Sequence, residues 1–259
     1  SIEVGGGETS FVMSDTFVNA NENYQSFGPM GSFSPLQNIT YSDEINIDNI
    51  NSGVYDATDF RVSNDGTRCS IKYRNNYANV YVFNLNTPYR VDTATYVGDA
   101  GGPLGGDGVY YGHFWGKDDP SYIHSFSNST NRWKQAKMTA PFGITAQIGA
   151  SYSVAGNTVD TFDCDITDDG NYIFQTHNNT NIYRTVLSTP HRSASSAGQY
   201  DQAVNLSQWA DDIQGMCIQG NFFFTSNNQS PTNHKGEGSM FYLPTAGDLY
   251  SGVIYVGDI

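Results

Sequence analysis

The sequence predicts an all-β chain assembled from four-stranded antiparallel meanders that stack on one another, and three observations predict it. Prolines recur inside one local phrase at Pro88 (L-N-T-P-Y), Pro141 (M-T-A-P-F), Pro190 (L-S-T-P-H) and Pro244 (Y-L-P-T), separated by 53, 49 and 54 residues. Asp65-Gly66 and Asp169-Gly170 lie 104 residues apart, which is two periods. The closing I-Y-V-G-D at 254–258 matches T-Y-V-G-D at 95–99. A period near fifty that carries the same turns in the same order marks a repeat architecture.

The clearest unit runs from Asp59 to Asp99. Phe60 and Val62 alternate with polar residues, as in a half-buried strand. Asp65-Gly66 reads as a two-residue hairpin, because both residues accept positive φ. Cys69, Ile71 and Tyr73 alternate again, and Val80–Phe83 is a near-continuous apolar strand. Asn86-Thr87-Pro88 turns the chain, since proline presets φ and has no N–H for a ladder. Thr95-Tyr96-Val97 closes the meander at Gly98.

The third unit repeats this order with Phe162–Ile166, Tyr172–Phe174, Ile182–Leu187 and a weak strand near Tyr200. The second is degenerate: Val109–Tyr111, a turn at Asp118-Asp119-Pro120, Tyr122–Phe126 and Ile148-Gly149. The fourth has Met216–Ile218, Phe222–Phe224, Met240–Leu243 and Val253–Val256. Units fall at about 51–101, 102–152, 153–205 and 206–259. One meander cannot hide both its faces, so the units must stack. Radial stacking gives a β-propeller, with a two-sheet sandwich as the alternative. Residues 1–50 read either as a degenerate first blade, with Phe33-Ser34-Pro35 placed 53 before Pro88, or as an N-terminal arm.

Composition narrows the function classes. Charged residues are 15% of the chain, and Asn, Ser, Thr, Gly and Tyr take their place, as in many extracellular and virion proteins. A net charge of −14 opposes nucleic-acid binding, which needs a basic face, and opposes polybasic membrane contact. No apolar run is long enough to span a bilayer, and the N-terminus shows no signal-peptide pattern. Three cysteines, Cys69, Cys164 and Cys217, cannot form a fully paired framework. Cys164 and Cys217, 53 apart, are expected to be buried thiols at equivalent positions of neighbouring units.

The phrase D-F-R-V-S-N-D-G-T-R-C-S-I-K-Y…N-V-Y-V-F-N-L-N-T-P-Y-R-V-D-T-A-T-Y-V-G resembles a known propeller repeat. In that repeat F-x-x-D-G-T-K-M-Y-V precedes V-Y-Q-Y-x-L-S-T-P-W-D-I-S-T-A-T-Y. It occurs in phage tail and structural proteins and in bacterial surface proteins. The resemblance is good over 59–99, fair over 162–200, poor over 105–150 and 215–259, and absent over 1–50. It implies a propeller, and a virion origin would agree with the absent signal peptide.

Candidate chemistry is sparse. Asp160, Asp163, Asp165, Asp168 and Asp169 form the densest acidic cluster, and Asp163 and Asp165, on one strand face, are weak candidates to hold a hard cation such as calcium. The spacing lacks the Gly and bidentate Glu of a calcium loop, so no metal and no cofactor is expected. His113 and His124 flank Trp115, Asp118 and Asp119 without ligand spacing and read as scattered turn residues. Gly101–Gly106 reads as an inter-blade loop, and the Asn-X-Ser/Thr triplets at Asn38, Asn128, Asn178 and Asn205 as chance. Trp115, Trp133 and Trp209 read as packing before sugar stacking. The expectation is a non-enzymatic virion component of a bacteriophage, a tail, fibre, knob or capsid-decorating protein. It would contact other virion subunits in multiple copies and, at the host surface, a glycan. The alternatives are a carbohydrate-binding propeller and a secreted glycan hydrolase using Asp59, Asp163 and Asp165. Partner contacts are expected on 1–50 and on the loops at 101–120 and 227–238.

Overall fold

The computed structural model describes residues 57–73, 80–100, 112–127, 132–155, 161–177, 180–210, 212–227 and 238–258. Alternating apolar residues and Gly/Pro/Asn turns divide these into four sheets of four strands. The first blade comprises β1 (Ala57–Val62), β2 (Arg68–Tyr73), β3 (Val80–Leu85) and β4 (Ala94–Asp99). The second comprises β5 (His113–Trp115), β6 (Tyr122–Ser127), β7 (Arg132–Met138) and β8 (Ala146–Ala155). The third has β9 (Cys164–Ile166), β10 (Tyr172–His177), β11 (Asn181–Leu187) and β12 (Ser196–Asn205). The fourth has β13 (Ile213–Gln219), β14 (Phe222–Asn227), β15 (Gly238–Tyr242) and β16 (Ile254–Asp258). Every sheet is a sequential antiparallel meander. The four form a β-propeller, with β1, β5, β9 and β13 innermost.

Strand β8 continues past 152, and β12 is a ten-residue strand where a weak one was expected. Residues 1–50, the 101–106 loop and the expected strand at 109–111 lie outside the described residues. The second blade's inner strand is β5, so His113 and Trp115 are strand residues and the turn reading is corrected; His124 likewise lies within β6. Strand β7, R-W-K-Q-A-K-M, was not anticipated. Its Arg and Lys disguise the pattern, in which Lys134, fully buried, shares one face with Ala136 and Met138 while Trp133 faces the third blade.

Between successive described blades the facing sides are buried against each other. Val80 and Val82 meet Trp115, Ile123, Ala136 and Met138 between the first and second blades. Phe114, Phe126 and Trp133 meet Cys164, Ile166, Ile173 and Leu187 between the second and third. Phe174 and Ile182 meet Met216, Ile218, Phe223 and Phe241 between the third and fourth. Trp115 and Trp133 are therefore core residues, and Trp209 packs on Phe241 and Tyr255. Each buried large side chain contributes roughly 1.5–3 kcal/mol of hydrophobic stabilisation.

The repeat phrase has a physical origin. Gly66 and Gly170 both adopt positive φ, at 68° and 71°, within five-residue loops rather than the two-residue hairpins expected. The residue after the repeat proline also adopts positive φ, 62° at Tyr89 and 59° at His191. Its N–H donates to the glycine carbonyl, 2.9 Å for Tyr89 to Gly66 and 2.8 Å for His191 to Gly170. Its ring then covers the glycine so closely that a Cβ there would run into it. The Asp-Gly and Thr-Pro phrases co-occur because they are the two halves of one clamp, which holds the first hairpin of a blade to the second.

Gly66→Ala and Gly170→Ala should each destabilise the protein by about 1–3 kcal/mol, from the positive φ together with ring displacement. Gly220 also has positive φ, 56°, but its Cβ direction is open, so Gly220→Ala should cost only about 1 kcal/mol. Urea denaturation of the three variants checks this order. Equal costs would remove the clamp from the explanation.

Candidate functional site at the propeller axis

The inner strands bring together Asp59, Arg61, His113, Asp163 and Asp165. Strand alternation explains the convergence: on β9 the apolar Cys164 and Ile166 face the second blade, and on β1 Phe60 and Val62 take the corresponding face, which turns Asp59, Arg61, Asp163 and Asp165 toward the axis and the following blade. Arg61 lies between the other three described inner strands. Its Nε donates to the His113 carbonyl (2.8 Å), its Nη2 to the Cys164 carbonyl (2.9 Å) and to Asp163 Oδ1 (2.8 Å), and its Nη1 to the Met216 carbonyl (3.2 Å). Asp59 Oδ1 is 3.1 Å from Nε, and Asp165 Oδ2 is 3.8 Å from Nη1.

The carboxylates also accept backbone N–H groups one repeat ahead. Asp59 Oδ2 takes His113 N–H (2.7 Å), Asp163 Oδ2 takes Met216 N–H (2.7 Å) and Asp165 Oδ2 takes Ile218 N–H (2.8 Å). Asp168 Oδ2 takes Gly220 N–H (2.8 Å), while Lys117 Nζ donates to Asp168 Oδ1 (2.9 Å) and to the Ile218 carbonyl (2.7 Å). Between the second and third blades the backbones themselves approach. A Cβ at Gly112 would stand 2.8 Å from the Asp163 Cα.

These contacts decide what the cluster can do. The second oxygens of Asp163 and Asp165 accept Cys164 N–H (2.7 Å) and Ile166 N–H (2.8 Å), so all four carboxylate oxygens face N–H donors. A calcium ion, which needs six to eight oxygens, would have to displace Arg61. Among the described residues no group of three His, Cys, Asp or Glu is placed to hold a metal ion. Burial works to raise the Asp59 carboxyl, but Arg61 and His113 outweigh it and hold it at about 2. Burial works to raise the Asp163 carboxyl, and Arg61 with the Met216 and Cys164 N–H groups pulls it the other way.

One arrangement escaped the sequence. Ser70 Oγ is 2.7 Å from His113 Nε2, and His113 Nδ1 is 2.8 Å from Asp59 Oδ2, off the line of a good hydrogen bond. Trp115 Nε1 donates to the same Ser70 Oγ (2.9 Å). Because an indole only donates and a carboxylate faces Nδ1, the consistent pattern is Nδ1–H with Ser70 O–H donating to Nε2. The order Ser–His–Asp matches a hydrolytic triad. Ser70 and His113, however, are 0% exposed, sealed between the first two blades. A substrate would have to part those blades to reach Oγ, so the chain of contacts binds blade to blade. The signal for it lay in Ser70 and Lys72, polar residues alternating with Cys69 and Ile71, which suited a solvated face only while one face was taken as exposed.

The cysteines are all free. Cys164 is buried against the second blade, and burial pushes its thiol well above the usual range. Cys217 occupies the equivalent inner strand but points the other way. Its neighbours Met216 and Ile218 fill the core, and the half-buried thiol turns toward the axis, raised by burial to about 12. The two are thus in equivalent strands but on opposite faces, a one-residue offset that a count of 53 could not reveal.

No family model matches this chain, and no curated protein matches it. Solved structures do show similarity. A functionally unknown protein from Desulfotomaculum acetoxidans is 15% identical, with TM-score 0.45, over 79% of this chain and 61% of the other. A candidate 6-phosphogluconolactonase from Bacteroides fragilis is 13% identical, with TM-score 0.45, over 78% and 54%. Kluyveromyces lactis Hsv2 is 10% identical, with TM-score 0.42, over 77% and 49%. This chain spans about half to three-fifths of their lengths.

Buried histidines make stability depend on pH. Burial, with Arg192 nearby, pushes His124 down to about 3, and burial lowers His113 against the pull of Asp59. Unfolded histidine titrates near 6.5. Below that pH the unfolded chain binds protons that the folded chain refuses, so stability is full above about 6.5 and falls toward pH 3. Between pH 7 and 4.5 the wild type should lose about 2–3 kcal/mol more than His124→Gln. Urea denaturation at both pH values measures the difference, and identical losses would contradict a neutral buried His124.

Proposed function

We propose that this propeller is a non-enzymatic structural component of a bacteriophage virion, a tail, fibre, knob or capsid-decorating subunit. The observation that carries the non-enzymatic part is that the residues best suited to chemistry are spent on joining blades. Arg61, Asp59, Asp163 and Asp165 reach across the axis, and Ser70, His113 and Trp115 seal an interface. The virion part rests on the resemblance of 59–99 to the repeat of phage structural proteins. The amide-rich, low-charge composition is in keeping with it. A rigid disc presenting loops suits a subunit that packs against copies and meets a host surface.

A second reading, a glycan-binding propeller, is favoured by Tyr250, 67% exposed at a blade turn, and by Tyr200, 42% exposed on an outer strand. Aromatic faces of this kind stack on sugar rings. Gradient-purified particles from a lysate of the source organism, analysed by mass spectrometry, test the first reading. The protein should be found in intact particles in fixed ratio to other subunits; its absence from them removes the virion role. Binding on a glycan array without particle association would establish the second. Hydrolysis of a polysaccharide, abolished by Asp163→Asn, would overturn the non-enzymatic reading.

A further inference from the structure

In each of the described blade pairs the preceding repeat packs on the same face of the one that follows. That face is sealed on the inner strands of the second, third and fourth blades, where Trp115, Ile166 and Ile218 are 6%, 0% and 2% exposed. The first blade differs. Its corresponding face runs from Phe60 and Val62 on β1, through Ile71 and Cys69 on β2 and Phe83 on β3, to Tyr96 on β4. Phe60, Val62 and Tyr96 are 44%, 36% and 42% exposed. The buried middle of this face forms a cluster whose described members all belong to the first blade.

Two further features mark the same vacancy of contacts among the described residues. Tyr255, the counterpart of Tyr96 in the I-Y-V-G-D phrase, stacks on Trp209 from the segment preceding its own blade, with centroids 6.0 Å apart. The short 3-10 turns of the third and fourth blades dock on the preceding blade and bury Ser193 and Leu249, whereas the matching turn at Val91–Thr93 buries nothing. Near the axis the fourth blade reaches the first through Arg61 and the Met216 carbonyl. Farther out, its described side chains do not join the cluster.

We propose that this face of the first blade is the docking surface for the chain's own residues 1–50, which pack on it in cis as one further repeat. At least one repeat's worth of chain precedes Ala57, since residues 1–56 exceed the repeat separations of 49–54. It enters β1 directly, and in every described pair the segment preceding in sequence takes this face. Phe33-Ser34-Pro35 stands one period before Thr87-Pro88, and aromatic and β-branched residues around it suit an aromatic-lined partner. Fifty residues joined directly to their target need no intermolecular encounter, which favours this occupant over a second copy. The inference rests on the repeat geometry and is independent of the virion reading.

The test uses the full-length chain with benzoylphenylalanine replacing Phe60 or, separately, Tyr96, irradiated and mapped by mass spectrometry. The expected result is an intrachain cross-link from both positions into residues 9–47, with a monomeric product on a denaturing gel. Cross-links to a second copy, cross-links into the fourth blade, or none at all would overturn the proposal. A second measurement reads the thiol beneath the face. Phe33→Asp in the full chain should raise the labelling rate of Cys69 about tenfold or more while Cys164, between the second and third blades, stays protected. Unchanged Cys69 labelling with Cys164 protected would contradict the docking. Exposure of both thiols would mean global unfolding, and the cross-links then decide.

Discussion

The described structure depends on one guanidinium. Arg61 extends from β1 across the axis and meets the carbonyls of His113, Cys164 and Met216, one from each of the other described inner strands. A propeller needs its inner edges satisfied, because backbone groups buried at the axis have no water to bond. Arg suits the position because five donors in a planar fork can face several acceptors at once. Taking its charge out of water is costly, and Asp59, Asp163 and Asp165 surround it to compensate. Those carboxylates in turn capture N–H groups one blade ahead, so the same cluster that neutralises Arg61 also sets the register between blades.

Farther from the axis the structure is held by repetition. Each clamp of Gly under Tyr or His ties one hairpin of a blade to the other, and short 3-10 turns pin a blade to its predecessor. His124 Nδ1 lies 2.8 Å from Ser193 Oγ, and Gln202 both donates to Asp248 and accepts from Leu249 N–H. Arg192 pairs with Asp118 and lies 3.9 Å over the Tyr122 ring, again joining the third blade to the second. Polar groups thus act chiefly between blades and apolar groups within the interfaces. A chain with so few charges uses several of the described ones, Asp59, Arg61, Lys117, Asp163, Asp165, Asp168 and Arg192 among them, as ties between blades.

Much of the fold was legible because turns are local. Asp-Gly, Thr-Pro and the terminal Val-Gly-Asp could be placed at fixed offsets, and strand alternation did the rest. The failures share one cause. Alternation says that two faces differ but not that both are buried, so nothing marked Ser70, Lys72 and Lys134 as buried, and His113 was read as a turn residue. The axial site was legible only in part. Asp163 and Asp165 were correctly placed on one face, yet Arg61, 102 residues from Asp163, carried no sequence sign that it would be their partner. Contacts between blades are set by how the repeats stack, and a single sequence encodes that stacking only through the period itself.

A double-mutant cycle on Arg61 and Asp163 by urea denaturation tests the axial account most directly. Arg61→Met should cost about 3–5 kcal/mol, because it leaves buried carboxylates facing one another and three carbonyls unpaired. Combining it with Asp163→Asn should cost about 1–3 kcal/mol less than the sum of the single changes, since the lost partner no longer leaves that carboxylate stranded. Costs that add within about 0.5 kcal/mol, or an Arg61→Met chain as stable as the wild type, would contradict a propeller held together at its axis by this one side chain.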